Sequence, residues 1–129
     1  MQGEINLELL LASIDPVLSE EEYVFFTPEI LPPLDDSIFA CIQEQEGWTC
    51  IIERVAADHL DMQYETIFKR ITLQVHSSLE AVGLTAAVSN LLAEYEISCN
   101  IVAGYFHDHL FVPIKQADQA LALLKKLKK

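Results

Sequence analysis

Ser77 and Glu80 stand three residues apart, just before a run with helical periodicity. At that spacing a serine hydroxyl and a glutamate carboxylate can each satisfy an amide at a helix start. Three residues further on is Gly83, where the missing Cβ lets backbone or ligand approach closely. Main-chain N–H groups bared at a helix start, helped by the helix dipole, suit a carboxylate. Asn100 offers both a donor and an acceptor, and Asp108 could accept from an ammonium group. Such a site would hold the zwitterionic end of an amino acid mostly through backbone. The same residues also read as a helix start and a strand-edge contact with no ligand, and both readings stay open.

Other chemistries find less support. His107 and His109 alternate around Asp108, so on a strand both imidazoles would share a face and could reach one ion. Two ligands do not complete a site, and nothing fixes the distance to His76, so solvated histidines at a hairpin turn are expected and no metal. His59 falls on a short helix with no evident partner. Cys41, Cys50 and Cys99 lie in or beside apolar strands, where burial raises a thiol pKa and makes the group inert. The sequence has four glycines and no Gly-x-Ser-x-Gly, phosphate-cradling loop or His-Glu-x-x-His. Neither enzyme activity nor a cofactor is expected.

The 129 residues are 51% hydrophobic and 22% charged, with mean hydropathy +0.24, which suffices to bury a core. Twenty acidic side chains against eight basic ones give a net charge of −12. No basic footprint exists to displace counterions from nucleic acid or to dock on anionic lipid. The charge is uneven: residues 1–65 hold 15 acids and one base, Arg54, whereas 66–129 hold 5 acids and 7 bases. The halves could attract one another, although an acidic solvated face and lysines complementing the end of a last helix explain the pattern more simply. No segment reaches the roughly 18 apolar residues that span a bilayer. The first residues carry Glu4 and Glu8 and no base, unlike a secretory signal. Three cysteines without a framework spacing point to a cytoplasmic chain with reduced thiols.

The elements that would position these residues follow from periodicity. Ile5–Ser13 reads as a short amphipathic helix ended by Asp15-Pro16, Glu20–Glu22 as a solvated bend, and Tyr23–Thr27 as a strand. Ser37–Gln45 and Trp48–Glu53 flank Glu46-Gly47 as a hairpin. With Gln45 opposite Trp48, Cys41 and Cys50 become diagonal neighbours at about 7–8 Å, marginally too far for a disulfide. Val55–Met62 is a short helix. Thr66–His76 is a strand with Ile71, Leu73 and Val75 inward and His76 outward. Gly83–Tyr95 is a helix packed through Leu84, Ala87, Val88, Leu91, Leu92 and Tyr95. Cys99–Tyr105 and His109–Pro113 are strands about a turn at His107-Asp108, and Asp118–Lys128 is a last helix packed through Ala120, Leu121, Leu124 and Leu127. Strand, turn, strand, helix therefore occurs twice, about sixty residues apart, and implies antiparallel sheets covered by helices.

The run from Ile71 through Gly83 and Leu84, followed by a helix and then Leu92-Ala-Glu-Tyr-Glu-Ile-Ser-Cys-Asn100-Ile101, resembles the ACT domain. The family commonly has a glycine where this chain has Tyr95-Glu96. Tyr105–Pro113 looks like a subgroup of short bacterial tandem-ACT proteins. The resemblance is good over 67–129 and weaker, though consistent in element order, over 1–66. It implies an α+β, ferredoxin-like (βαββαβ) ACT fold in tandem, residues 1–66 and 67–129, with a non-catalytic regulatory or sensor role.

The resemblance further implies homodimers that bind a small ligand, often an amino acid, around Ser77, Ser78, Leu79, Glu80, Val82, Gly83, Leu84, Asn100 and Ile101, with Asp108 nearby. A structural or interaction module that oligomerises without ligand is the alternative. The chain stops after its last helix, so the second unit lacks a fourth strand, and the N-terminal segment is expected to complete that sheet by exchange.

Overall fold

A computed structural model of the chain describes residues 7–74 and 82–127. In chain order the elements are α1 (Leu7–Ser13), β1 (Pro16–Phe26), β2 (Ile38–Glu44), β3 (Gly47–Glu53), α2 (Arg54–His59), β4 (Phe68–Leu73), α3 (Leu84–Glu94), β5 (Asn100–Ala103), β6 (Asp108–Pro113) and α4 (Ala117–Lys125), with a 3₁₀ turn, Ile114–Gln116, before α4. They divide into two compact units, Met1–Ser19 with Lys69–Lys129, and Glu20–Phe68.

In the first unit the strand order is β1-β4-β6-β5. The elements β4-α3-β5-β6-α4 supply the first five parts of a βαββαβ unit, and Pro16–Ser19 of β1 stands beside β4 in the place of the sixth. Two hydrogen bonds tie this segment there: Gln74 N donates to the carbonyl of the preceding Asp15 at 2.9 Å, and Arg70 N donates to the Ser19 side-chain Oγ at 3.1 Å. The core takes Ile14 before β1, Ile71 and Leu73 from β4, and Leu110 and Val112 from β6. Leu84, Val88 and Leu92 of α3 and Ala120, Leu123 and Leu124 of α4 complete it. Their spacing is that of one strand face and one helix stripe, and Leu7 and Leu11 of α1 pack on the same cluster.

The helix α3 ends on a Schellman motif. Glu96 N donates to Ala93 O and Ile97 N to Leu92 O, each at 3.0 Å, with Glu96 at φ +57° and Ile97 buried against Leu92. Glu96 thus occupies the left-handed position that the family resemblance associates with glycine.

In the second unit the strand order is β2-β3-β1. Val24, Ile52 and Ala57 form its buried centre, with Phe26, Ile38, Met62, Tyr64 and Ile67 packed around them. Phe25 and Phe68 meet edge-on at 5.1 Å between ring centres. The segment between β1 and β2 holds a turn in which Ser37 N donates to Asp35 Oδ1 at 2.9 Å. Hydrogen bonds from the Ser37 hydroxyl and amide hold the Asp35 carboxyl below its ordinary pKa.

Several expectations change. Glu20–Glu22 is not a bend but part of β1, and Glu22 is neutralised by Arg54 at 2.7 Å. The hairpin turn is Gln45-Glu46, because Glu44 pairs with Gly47 and Gln43 with Trp48. Gly47 adopts φ +146° as the first residue of β3. The shift of register puts Cys41 directly opposite Cys50. Tyr95 caps α3 and is exposed, outside the buried stripe. Asp108 opens β6 and does not belong to the preceding turn. The expected places of Val75 and His76 lie outside the described residues.

Candidate functional site

The junction between β4 and α3 is where the sequence places a ligand. Ser77, Ser78, Leu79 and Glu80 lie outside the described residues. The N-cap of α3 is Gly83, at φ +99° and ψ −16°. Ala87 N donates to Gly83 O at 2.8 Å to begin the helix. Gly83 can hold that backbone because it has no Cβ, but it has no side chain to cap the helix, and the first turn of α3 contains no acidic residue. The positive end of the helix dipole is therefore not neutralised from within its own first turn.

The close approach at Gly83 is made by protein. A Cβ added there would stand 3.1 Å from Leu7 Cδ2. Leu84 is buried in the core, so it positions the helix start from within. Val82 is 81% exposed.

Asn100 and Ile101 begin β5, the last strand in the order of this unit. Asn100 pairs with Phe111, Ile101 with Leu110, and Ala103 with Asp108. Asn100 is exposed, whereas Ile101 packs on the core. Along the ladder, Asn100 and the Ala103–Asp108 pair are three residues apart, about 10 Å. The strand pairing therefore does not bring Asp108 beside Asn100. Burial raises the Asp108 carboxyl pKa, with the nearby His107 opposing that shift.

A polar row that spacing does not reveal crosses β4 and β6. Arg70 Nε donates to Thr72 Oγ1 at 3.2 Å, and Thr72 Oγ1 lies 2.9 Å from His109 Nδ1. Thr72 Oγ1 thus bridges Arg70 Nε and His109 Nδ1. Burial, then Arg70 and His107, lower the His109 pKa to about 4, so the ring is neutral at pH 7. Thr72 and His109 are 37 positions apart. The only trace of the row in the sequence is the polar alternation of Arg70, Thr72 and Gln74.

Gly104 closes the adjoining turn, donating from its N–H to His107 O at 2.9 Å. The rings of His107 and His109 are 6.4 Å apart and nearly perpendicular. Among the described residues no group of three or more His, Cys, Asp or Glu side chains could hold a metal ion, and no helix among them is long and apolar enough to cross a membrane.

Strand order, the helix pair and the tandem arrangement define a ferredoxin-like α+β protein, and comparison with known proteins names its class. Residues 2–69 and residues 68–126 each match an ACT domain family profile. The chain belongs to the ACT-domain family, whose domains are non-catalytic.

It is similar over 95% of its length, at 43% identity and TM-score 0.82, to a crystal structure of a protein of unknown function from Vibrio cholerae, a possible transport protein, 96% of which is covered. A protein from Agrobacterium tumefaciens matches at 14% identity and TM-score 0.68, over 88% of each chain. The ligand-free regulatory subunit of aspartate kinase from Thermus thermophilus matches at 9% identity and TM-score 0.66, covering 91% of this chain and 99% of that one. These last two share the fold. No curated protein matches the sequence.

Proposed function

We propose that the chain is a cytoplasmic sensor that binds a small metabolite, an amino acid, at the junction of β4 and α3, and acts as a homodimer. The observation that carries this reading is Gly83, held in the left-handed region at the N-cap of an eleven-residue helix with no acidic side chain in its first turn. A carboxylate there would be met by main-chain N–H groups and the dipole. Asn100, exposed at the start of β5, would orient the remainder of the ligand. β5 also ends the strand order of its unit, so a second copy could add there. The two repeats are proposed to divide in sequence at 66 and 67.

Calorimetry of the intact chain against the twenty amino acids and common nucleotides tests this. Heat with one amino acid and a matching thermal shift supports the sensor. Uniform silence in both overturns it. A second reading, a module that joins subunits without ligand, is favoured by the seating of Leu7 beside Gly83 and by the exposed pair Tyr105 and Phe106, 5.0 Å apart at the turn before β6. A solution dimer that shows no ligand heat would select it.

A further inference from the structure

Cys41 and Cys50 face each other across the β2–β3 hairpin. They are directly paired in the ladder, and their sulfurs lie 3.2 Å apart as free thiols. Directly opposed residues of an antiparallel pair have Cα atoms about 4.5–5.5 Å apart, inside the range a disulfide accepts. Closing the sulfurs to about 2.05 Å needs movement of little more than 1 Å, which side-chain rotation can supply.

The two thiols are not equivalent. Cys50 is fully buried on the central strand of its unit, with Phe26 opposite it on β1. Cys41 is partly exposed on β2, which ends the strand order of this unit. Burial and the neighbouring Cys41 push the Cys50 thiol up to about 12, so it is protonated at neutral pH. The group that meets an oxidant from solvent is Cys41, and Cys50 waits behind it.

We infer that Cys41 and Cys50 form a reversible dithiol–disulfide couple, in which Cys41 takes the oxidant and Cys50 resolves it. With a hydroperoxide, the Cys41 sulfur attacks the terminal peroxide oxygen. The O–O bond breaks, and the leaving oxygen departs with a proton as water or alcohol, leaving a sulfenic acid. The Cys50 sulfur then attacks Cys41 Sγ, the S–O bond breaks, and the hydroxyl leaves with the Cys50 proton as water. Two electrons pass from the thiols to the peroxide, and a dithiol reductant restores them. The closed bond staples β2 to β3 within the Glu20–Phe68 unit. Cys99, whose thiol burial pushes up to about 11, has no part in this couple.

The test uses the intact chain treated with hydrogen peroxide and, separately, with glutathione disulfide. Expected are loss of the mass of two hydrogens, a non-reducing peptide map joining the Cys41 and Cys50 peptides, and full reversal by dithiothreitol. The oxidised protein should melt several degrees above the reduced one. Cys41→Ser should abolish the linkage, and Cys99→Ser should leave it intact. Because the map is made on the wild-type chain, a variant that fails to fold does not alter the outcome. Stable addition of oxygen or one glutathione without ring closure, or a linkage between chains, would overturn the couple. Its outcome is independent of whether an amino acid binds.

Discussion

Leu7 Cδ2 lies 3.1 Å from the point where a side chain on Gly83 would begin. Two demands meet at this residue: φ of +99°, which L-residues with a Cβ adopt only under strain, and a leucine side chain seated where its Cβ would be. Gly83→Val is therefore expected to destabilise the chain by about 2–3 kcal/mol, read from the urea midpoint. Leu7→Ala added to Gly83→Ala should relieve the contact and leave the backbone penalty. If Gly83→Val melts like the wild type, the glycine is not conformationally required.

The fold is legible in the residues to the extent that burial is one-sided. Ile71 and Leu73, Leu84, Val88 and Leu92, and Ala120 and Leu124 are buried where their periodicity says, because one face of each element meets the core. The hairpin register is not legible. Slipping from Gln45 opposite Trp48 to Gln43 opposite Trp48 changes the pairing by two positions and leaves every side chain on the same face, so hydrophobic pattern cannot choose between them. Glu20–Glu22 misleads because three acids in a row resemble a solvated bend, whereas Arg54, 32 positions beyond Glu22, neutralises that one within a strand. The polar row of Arg70, Thr72 and His109 depends on which strands become neighbours, which local sequence does not carry.

Glu96 supplies a prediction of the opposite sign. It holds φ +57° at the position after the α3 cap and places a negative charge at the negative end of the helix dipole. Glu96→Gly removes the left-handed penalty and the charge, against the greater chain entropy of glycine when unfolded. A net gain of about 0.5–1 kcal/mol is expected. The bonds from Glu96 N to Ala93 O and from Gln116 Nε2 to Glu96 O use backbone atoms of residue 96 and survive. An unchanged or lowered denaturation midpoint would contradict this account.

Gly104 is constrained by contact. A Cβ there would sit 2.8 Å from the His107 carbonyl oxygen and 3.4 Å from His109 Nε2, and the carbonyl is backbone that cannot rotate away. Gly104→Ala should open the turn, lengthen the bond from Gly104 N to His107 O, and cost about 1–3 kcal/mol. Amide exchange at residue 104 should accelerate relative to Val112. Unaltered protection there would show that the turn absorbs a methyl group freely.

His109 gives a pH dependence with a definite sign. Its folded pKa, about 4 against an ordinary 6.5, means that between those values the unfolded chain binds a proton that the native chain does not. Stability from this group is complete above pH 6.5 and is lost as pH falls toward 4. With the ring only part-buried, solvent screening reduces its contribution to about 1–2 kcal/mol. Asp108 acts the other way: its raised pKa stabilises at low pH and fades as pH rises above the ordinary carboxylate range. Urea midpoints at pH 7.5 and 5 should fall less for His109→Gln than for the wild type. Equal slopes would remove the ring from the acid response.

Asn100 and Asp108 separate the ligand site from the ladder. Asn100 is exposed at the first position of β5, opposite Phe111, whereas Asp108 opposes Ala103 at the other end. Removing an exposed side chain here should change stability by less than about 0.5 kcal/mol. If an amino acid sits at the start of α3 with Asn100 as its polar contact, Asn100→Ala loses one hydrogen bond to a charged group. That corresponds to about tenfold or more in Kd. Asp108→Asn, about 10 Å further along the strands, should leave Kd within about twofold, since a tenfold change needs about 1.4 kcal/mol of lost contact. Titration of the amino acid giving the largest heat, with each variant, decides the matter. Weakening by Asp108→Asn alone would move the polar contact to the other end of the β5–β6 ladder, beside Gly104 and His107.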